Sequence, residues 1–493
     1  MPEDANAARG RPGLFQAIIP LICLFGLLTL AVGVFGDNAT SGPVQVALMC
    51  AGFVGGLIGL LNNVSWGNLE EAVSSLCSMV MVPVLLLLSI GGLIAVWIAS
   101  GVIPSLIVYG ADLLHPSVFY AAALVISAVV ALTSGSAWTT AATLGVALIG
   151  IAQASGISLP ITAGAIISGV YFGDKLSPLS DTTNLSSSMA GADLFVHVKY
   201  LLWTTIPAFI IAFVFFLTLS LMSTQAVDAT QLELLISELH EKFRISAYLI
   251  LPMFGLIGLA FLRMPPLPAI AVSIAIGIFV GLFFQSPEAG QGMAERIFGY
   301  WNMVAAGYHT DSGSAAVQAL LSRGGMESMM STVWLIITAM FFSAMMDRSG
   351  CLERIVQSVI GLMRKDRHIF FGAGATALLG NVVAADQYLS IVLSTRMYAN
   401  EVSARGFRPE MLSRTAEDFG TVTSPLVPWN TCGAFMSATL GVATLSYLPF
   451  CVFNIVSPMI AVFYISTGIA MRRGPAMDSL SAPSAEVVAL AKQ

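Results

Sequence analysis

A cluster of oxygen-bearing side chains between residues 173 and 184 interrupts an otherwise apolar stretch of the chain. Two carboxylates, Asp174 and Asp181, lie on either side of Pro178, and hydroxyl or amide groups occupy most of the other positions: Ser177, Ser180, Thr182, Thr183 and Asn184. Proline cannot continue a helix, so the carbonyl groups just before Pro178 lose their helical partners. Hard cations are bound by oxygen ligands of these kinds. The segment therefore predicts a cation site, with Na⁺ expected at Asp181, Thr182 and Asn184. The simpler alternative is a loop in which Asp181 caps the next helix.

The second half of the chain repeats this frame without its carboxylates. Phe172-Gly173 is followed by Ser177-Pro178-Leu179, and Phe419-Gly420 is followed at the same spacing by Ser424-Pro425-Leu426. Thr421 and Pro428 stand where the first copy has Asp174 and Asp181, while Asn430 and Thr431 keep the segment rich in oxygen. We expect Pro178 and Pro425 to interrupt two helices that lie close together, as the broken helices of repeat-built proteins do.

Two more polar clusters occupy matching places in the two halves. One contains Ser134 and Ser136, and the other contains Asn381 and Asp386. Small hydroxyl residues at 133–143 could bind a ligand or simply pack one helix against another. The second cluster falls in a segment, 369–395, that has basic residues on both sides, including Arg364, Lys365 and Arg367 before it. If both basic groups are cytosolic, the segment is a re-entrant hairpin with its tip near Gly380-Asn381; the alternative is a single long helix.

The elements that must position these residues are membrane helices. The chain has 493 residues, of which 57% are hydrophobic and 10% are charged, whereas a soluble domain has about 25% charged residues. Several apolar runs can cross a hydrocarbon core of roughly 30 Å, and about ten to twelve spans are expected. The clearest are 14–35, 44–61, 118–132, 195–222, 244–262, 267–285 and 446–471. The sequence predicts an all-α polytopic membrane protein. No nucleotide-binding loop, cofactor motif or nucleic-acid patch is evident, so transport driven by ATP is disfavoured and no cofactor is expected.

The repeated motifs divide the chain into two transmembrane units. We expect a cytosolic tail at 1–12, a first repeat at 13–222, a linker with an amphipathic helix at 223–243, a second repeat at 244–471 and a cytosolic tail at 472–493. The basic residues indicate the orientation of the second unit. Four arginines lie in 396–414, namely Arg396, Arg405, Arg408 and Arg414, whereas the matching 149–167 has no Lys or Arg. Because basic residues favour the cytosolic side, the repeats should be inverted, with broken helices and re-entrant hairpins.

Long strings in both halves resemble the NhaC family of bacterial Na⁺/H⁺ antiporters. The most specific are GDKLSPLSDTTNL at 173–185 and TSPLVPWNTCG at 423–433, and the resemblance extends from about residue 14 to residue 471. It implies exchange of Na⁺ or Li⁺ for H⁺ across the bacterial cytoplasmic membrane by alternating access. Some family members exchange malate and protons for Na⁺ and lactate. Lys175, the basic residue inside the core motif, keeps an organic-anion or amino-acid antiporter open as the alternative. Membrane lipid is an expected partner, and a homodimer is left open.

An antiporter that works by competition needs a carboxylate that binds a proton and a cation in turn. Burial raises the pKa of a carboxylate and a bound cation lowers it again, so this group should lie within the membrane beside other oxygen ligands. We rank Asp181 first, Asp174 second and Asp386 third. The residues expected to coordinate the ion or the substrate have hydroxyl or amide side chains: Ser177, Thr182, Thr183, Asn184, Asn381, Ser424, Asn430, Thr431, Ser134 and Ser136.

Overall fold

Glycine, proline and polar clusters divide the apolar runs into helices of unequal length. The computed structural model describes the following residues: 12–35, 42–113, 118–222, 229–262, 264–285, 292–311, 313–314, 317–318, 321–361, 368–469, 471 and 473–474. These residues contain helices and two isolated β-bridges but no strand. The predicted tails, apart from residues at their inner ends, lie outside the described residues, as do Arg364, Lys365 and Arg367.

Twelve described α-helices precede the predicted second repeat. They are α1 (Leu14–Phe35), α2 (Pro43–Leu61), α3 (Trp66–Met79), α4 (Met81–Ala99), α5 (Val102–Leu113), α6 (Phe119–Ser134), α7 (Ala137–Thr140), α8 (Val146–Ala154), α9 (Leu159–Leu176), α10 (Asp181–Ala190), α11 (Leu194–Met222) and α12 (Ala229–Lys242). A π-helical turn, Ala141–Gly145, joins α7 to α8. The last helix, α12, lies in the predicted linker.

The second half contains eleven more described helices. They are α13 (Leu251–Phe261), α14 (Pro266–Phe284), α15 (Met293–Ala306), α16 (Met330–Arg348), α17 (Cys351–Gly361), α18 (His368–Val383), α19 (Gln387–Ala404), α20 (Pro409–Ala416), α21 (Thr431–Leu440), α22 (Thr444–Tyr447) and α23 (Val452–Thr467). A π-helical turn, Glu417–Thr421, extends α20, and a 3₁₀ turn, Ser424–Leu426, follows it.

Six described helices are long and apolar enough to cross a membrane by length and composition: Leu14–Phe35, Pro43–Leu61, Met81–Ala99, Leu194–Met222, Leu267–Phe284 and Glu327–Arg348. A bent pair, Thr431–Leu440 with Thr444–Phe450, would add a seventh if it forms one span. Other apolar segments form shorter helices, such as α6, α18 and α23. Large apolar side chains such as Phe15 and Trp301, both 78% exposed, can face lipid. The chain is a polytopic membrane protein, and the larger span count stays a prediction.

The two halves share a succession of helix bounds. Both α4 and α16 have 19 residues and are followed by a glycine with positive φ, Gly101 in the first half and Gly350 in the second. Both α10 and α21 have ten residues and end at a left-handed glycine, Gly191 and Gly441. Between them, Ser136 caps α7 and Asp386 caps α19 at matching places. A shared pattern of breaks therefore accompanies the shared sequence motifs.

The segment 369–395 forms two helices that fold back on each other. The Ser394 hydroxyl donates to the Ala373 carbonyl (2.8 Å), and the Thr376 and Tyr398 hydroxyls lie 3.1 Å apart, as expected for antiparallel neighbours. The turn lies at Ala384 and Ala385, and Ala385 has a φ of +53°. The single long helix is therefore wrong. The hairpin tip lies four residues beyond the predicted Gly380-Asn381, because Asn381 is still within α18.

One of the arginines used to orient the repeats lies in the protein interior. Arg414 lies within α20 and is only 1% exposed. Arg405 and Arg408 do lie between α19 and α20, and Arg396 is exposed on α19. The basic surface of this region is therefore smaller than the sequence suggests, because Arg414 is part of the protein interior.

Candidate functional site

The helix break at Pro178, which we call the first break, is stabilised by side chains of the predicted site. Helix α9 ends at Leu176, and Asn184 donates its amide to the carbonyls of Pro178 (2.9 Å) and Ser180 (2.8 Å). The Thr183 hydroxyl donates to the Lys175 carbonyl (3.2 Å). Unpaired backbone carbonyls are costly away from water, so these donors stabilise the break. Thr183 and the amide nitrogen of Asn184 are thus part of the framework of the site.

Asp174 and Asp181 line one cavity of about 240 Å³ beside this break. Asp174 is buried, with 6% of its surface exposed, and its carboxylate contacts the Ser180 hydroxyl and the backbone of Ala137. Asp181 is exposed as the first residue of α10. Asp181 was ranked first as the exchanging carboxylate because it was expected to be buried. Of the two aspartates, Asp174 is the buried one. The two carboxylates lie at different depths of the same opening.

The cavity wall brings together residues from both halves. Ser136, Thr182, Gln387 and Tyr388 line it with the two aspartates. The Thr182 and Ser180 hydroxyls are 3.0 Å apart, and Ser136 accepts a hydrogen bond from the Thr139 amide (3.2 Å). No three His, Cys, Asp or Glu side chains form a metal-binding group in the part of the chain that the structure describes. A cation here would be held by hydroxyl and carbonyl oxygens beside the carboxylates, as suits Na⁺.

A close backbone approach forms the floor of this region. Gly135 has a φ of +69°, and a Cβ atom there would lie 2.7 Å from Leu179 Cβ. Glycine is therefore required both by the left-handed turn and by the contact with the break. The neighbouring Ser134 hydroxyl lies 3.1 Å from that of Thr140, and the Ser177 hydroxyl accepts from the Leu179 amide (3.3 Å). Ser134 and Ser177 thus support the local turns.

The helix break at Pro425, the second break, is hydrogen-bonded to the hairpin of α18 and α19 through Asn381. Its amide donates to the Gly420 carbonyl (2.6 Å) and the Thr423 hydroxyl (2.9 Å). Its side-chain oxygen accepts from Ser390 (2.9 Å) and from the amide of Asn430 (3.2 Å). All five residues except Gly420 use side-chain atoms in this network, so the second break is rigidly paired rather than open.

Asp386 is also engaged by fixed partners. One carboxylate oxygen accepts from the backbone amides of Tyr388 (2.9 Å) and Leu389 (3.1 Å), which caps α19. The other accepts from the Thr431 hydroxyl (3.0 Å), while the Thr431 amide donates to the Ala385 carbonyl (2.8 Å). The carboxylate therefore ties the hairpin tip to the start of α21.

An ion pair buried between the halves involves Lys175. Its amine pairs with Asp418 at 2.5 Å, and both side chains are fully buried. Ser457 donates to the same Asp418 oxygen (2.8 Å), and Arg414 Nε lies 3.9 Å from the other oxygen. The Lys175 amine also donates to Thr204 (3.3 Å). Lys175 is thus held by Asp418 and not by its sequence neighbour Asp174.

A second buried carboxylate, Glu417, extends this group. It accepts from the Ser186 hydroxyl (2.9 Å), which lies 3.2 Å from His197 Nε2. The other ring nitrogen of His197 lies 2.7 Å from the Ser413 hydroxyl. We name Lys175, Arg414, Glu417 and Asp418 the ionic cluster. Its basic and acidic residues balance in number, which offsets the cost of burying each charge.

The sequence analysis singled out Lys175 but did not predict its ion pair with Asp418, the presence of Glu417 or the burial of Arg414. A signal was present, because Arg414 and Asp418 are four residues apart and occupy one face of a helix. Of the other predicted residues, Ser424 lies between the two halves. Its hydroxyl is 3.4 Å from the hydroxyl of Tyr171 and 3.4 Å from the side-chain oxygen of Gln387. The predicted residues therefore form two groups, one around the Asp174 cavity and one around Asn381.

The sequence match decides the family. Residues 169–469, which include both breaks and the ionic cluster, match the model of the Na⁺/H⁺ antiporter family. The chain belongs to this family. The match begins within α9 and ends just after α23, so the antiporter has the family's sequence pattern across both breaks, the hairpin and the ionic cluster.

Relatives of this antiporter differ in the solutes that their names mention. The Na⁺/H⁺ antiporter NhaC of Alkalihalophilus pseudofirmus is 34% identical over 87% of this chain and 90% of its own length. The malate-2H⁺/Na⁺-lactate antiporter of Bacillus subtilis is 34% identical over 93% of this chain and 95% of its own. The arginine/ornithine antiporter ArcD of Halobacterium salinarum is 33% identical over 95% of both chains. All three are similar over most of their length, so similarity alone does not select one solute.

Proposed function

We propose that the chain exchanges Na⁺ or Li⁺ for H⁺ across the cytoplasmic membrane, with Asp174 as the carboxylate that binds the two cations in turn. The observation that carries this proposal is the position of Asp174, which is buried yet lines the 240 Å³ cavity. No Lys or Arg forms an ion pair with it among the described residues. Asp418, in contrast, is held by Lys175. Asp174 is therefore a buried carboxylate that a cation in the cavity can reach.

Asp181 has a supporting role in this proposal. It is exposed where α10 begins and lines the same cavity as Asp174. A carboxylate at the mouth of a cleft raises the local concentration of cations. Asp181 would thus attract Na⁺, and Asp174, with the Ser180 and Thr182 hydroxyls nearby, would bind it. Asp386 is assigned a structural role because both of its oxygens already accept hydrogen bonds.

Alternating access between two inverted repeats would move this site from one side of the membrane to the other. The shared helix bounds, the two Ser-Pro breaks and the uneven distribution of basic residues support this arrangement. The Asp174 cavity is lined by residues of both halves, including Gln387 and Tyr388. A relative movement of the halves would therefore change the cavity directly.

Proteoliposomes with an internal pH dye test the proposal. Na⁺ and Li⁺ pulses should each move protons, whereas K⁺ should not. Asp174→Asn preserves the shape of the side chain and should abolish the response. Asp181→Asn should retain the maximal rate but raise the Na⁺ concentration for half-maximal rate, because a surface attraction is lost. The matched control is Asp193→Asn, an exposed carboxylate outside the cavity, which should behave as wild type.

The outcomes separate the two aspartates. Wild-type exchange in Asp174→Asn would refute its role, and complete loss in Asp181→Asn alone would return the assignment to Asp181. A wild-type protein that is silent with Na⁺ and Li⁺ but responds to malate or lactate would replace cation exchange with organic-anion exchange as the main function.

A further inference from the structure

A second cavity, of about 560 Å³, shares no residue with the one at Asp174. We name it the Arg323 cavity. It is lined by the later part of α4, by α8, by the end of α21 and by the segment 322–329. Its polar lining residues are His309, Ser322, Arg323, Glu327, Ser328 and Thr439. Its volume is in the range of small-molecule binding sites, which combine mostly apolar walls with a few polar groups.

The guanidinium of Arg323 is the cation that this cavity offers. It lies beside Gly441, where a Cβ atom would be 3.5 Å from Nη1. The side chain is half-buried, and its guanidinium makes no hydrogen bond or ion pair with any described residue. Its position near the end of α21 could suit a helix cap, but it donates to none of the final carbonyls there. Glu327 lines the same cavity and is exposed without pairing with it.

The backbone that carries Arg323 is held tightly against α4. The Gly325 amide donates to the Gly91 carbonyl (2.7 Å), and the Arg323 carbonyl accepts from the Tyr308 amide (3.2 Å). Gly325 has a φ of +85°, and a Cβ atom there would lie 2.3 Å from the Gly307 amide nitrogen. These contacts fix the chain at Arg323 itself and at Gly325, two residues beyond it. A rigid backbone pre-organises the guanidinium and reduces the cost of binding a ligand.

An unpaired hydroxyl lines the cavity as well. Thr439 is 4% exposed, and its hydroxyl has no hydrogen-bond partner among the described residues. Most buried polar atoms are hydrogen-bonded, so an unpaired one calls for an explanation. A bound solute would supply the missing partner. The hydroxyls of Ser322 and Ser328, by comparison, are engaged with the Thr310 amide (3.3 Å) and the Gly325 carbonyl (2.8 Å).

We propose that the Arg323 cavity binds a small organic solute through its carboxylate group, with Arg323 as the charged partner and Thr439 as a second contact. A planar guanidinium can donate two parallel hydrogen bonds to a carboxylate. Glu327 disfavours a ligand with further negative charge, so monocarboxylates should bind more tightly than dicarboxylates or phosphate. The inference deepens the proposed antiport, since it names a solute class for the same transporter, but the binding can be measured without any transport.

Binding of radiolabelled L-lactate to the purified full-length protein in lipid nanodiscs tests the inference. Saturable binding is expected, and Arg323→Gln should weaken it by about tenfold or more, because hydrogen bonds to a charged group are lost. Arg323→Lys keeps the charge but not the paired geometry and should weaken binding less. Thr439→Val should weaken it by a few-fold. The matched control is Arg396→Gln, an exposed arginine on α19 outside both cavities.

Competition with unlabelled solutes defines the ligand class. L-lactate or L-ornithine should displace the label at lower concentration than L-malate, and inorganic phosphate should displace it poorly. Displacement by L-ornithine at a lower concentration than by unlabelled L-lactate would indicate an amino acid as the source of the carboxylate. Any of three results would overturn the inference. These are the absence of saturable binding of lactate or ornithine, wild-type binding by Arg323→Gln, and displacement of the label by phosphate at the same concentration as by unlabelled lactate. If the Gln variant does not fold, the Lys and Thr439 variants decide.

The cation proposal and this inference fail independently. The two sites can be tested separately because the residues that line the two cavities are different. Lactate binding that depends on Arg323, together with no response to Na⁺, would refute the proposed Na⁺/H⁺ exchange and support the carboxylate site. Na⁺/H⁺ exchange that depends on Asp174, together with no carboxylate binding, would support the proposed exchange and refute the carboxylate site.

Discussion

Removing one partner of the buried pair of Lys175 and Asp418 should strongly destabilise the antiporter. Asp418→Asn preserves the shape of the side chain but removes its negative charge. Both Lys175 and Arg414 then remain buried with only Glu417 to balance them. Lys175→Met leaves Asp418 with the Ser457 hydroxyl and with Arg414 at 3.9 Å. The two single substitutions should therefore differ, with loss of the aspartate costing more.

The size of each effect follows from the geometry. Removing one partner of a buried ion pair costs about 3–5 kcal/mol, since the other charge stays buried without compensation. We expect Asp418→Asn to fall in this range. Two charges 3.9 Å apart attract each other by about 4 kcal/mol at an effective dielectric constant of about 20. Because the attraction to Arg414 survives in Lys175→Met, that variant should lose about 2–3 kcal/mol. The double variant restores the charge balance and should recover about 2–3 kcal/mol of the summed losses.

Unfolding in mixed detergent–SDS micelles, followed by tryptophan fluorescence, measures these differences in the free energy of unfolding. The control is Glu401→Gln, because Glu401 pairs with Arg405 on the surface at 3.4 Å. An exposed pair contributes about 0.5 kcal/mol or less. The reasoning is refuted if Asp418→Asn changes stability no more than this control does. It is also refuted if the double variant is as unstable as the sum of the two single variants.

Two further experiments test the packing around the site and the orientation of the predicted repeats. Gly173→Ala should destabilise the protein by about 1–3 kcal/mol and reduce exchange, because its Cβ would lie 2.3 Å from the Ala128 carbonyl oxygen of α6. The control is Gly255→Ala, because a Cβ atom at Gly255 would meet nothing within 4 Å. Equal thermal stability of the two variants would contradict this account. Cysteines introduced at Ser158 and Arg408, the residues before α9 and α20, should react with an impermeant maleimide from opposite sides of the membrane in a cysteine-free background, with Arg408→Cys reacting from the cytosol. Reaction of both cysteines from the same side of the membrane would rule out inverted repeats.

The chain breaks could be predicted from the sequence because their causes are local. Pro178 prevents the continuation of α9, and oxygen-rich neighbours such as Asn184 and Thr183 supply the donors that the broken helix needs. The hairpin was also predictable, since basic residues flank the segment 369–395 on both sides. Its tip was misplaced by four residues because Asn381 was taken as a turn residue. Asn381 instead stays helical and directs its amide toward the second break.

The ionic cluster could not be predicted because its contacts join residues that are far apart in the chain. Lys175 was considered as a partner for a substrate, whereas the fold places Asp418 beside it. Arg414 was counted with the basic surface because charge alone does not distinguish a buried arginine from an exposed one. Tyr200, whose ring lies 4.6 Å from the Arg414 guanidinium, is part of the environment that makes its burial tolerable. Such an environment is assembled only by tertiary packing.

The difference between the two breaks bears on how many cations one cycle could move. A transporter with two equivalent repeats could in principle use two equivalent sites. In the first break, Asp174 and Asp181 face a cavity. In the second, Thr421 replaces Asp174, and Asn381 is held by fixed hydrogen bonds within the protein. A group that is already fully hydrogen-bonded must lose those bonds before it can bind a cation. The second break is therefore better suited to act as a fixed support against which the proposed exchange site in the first break can move.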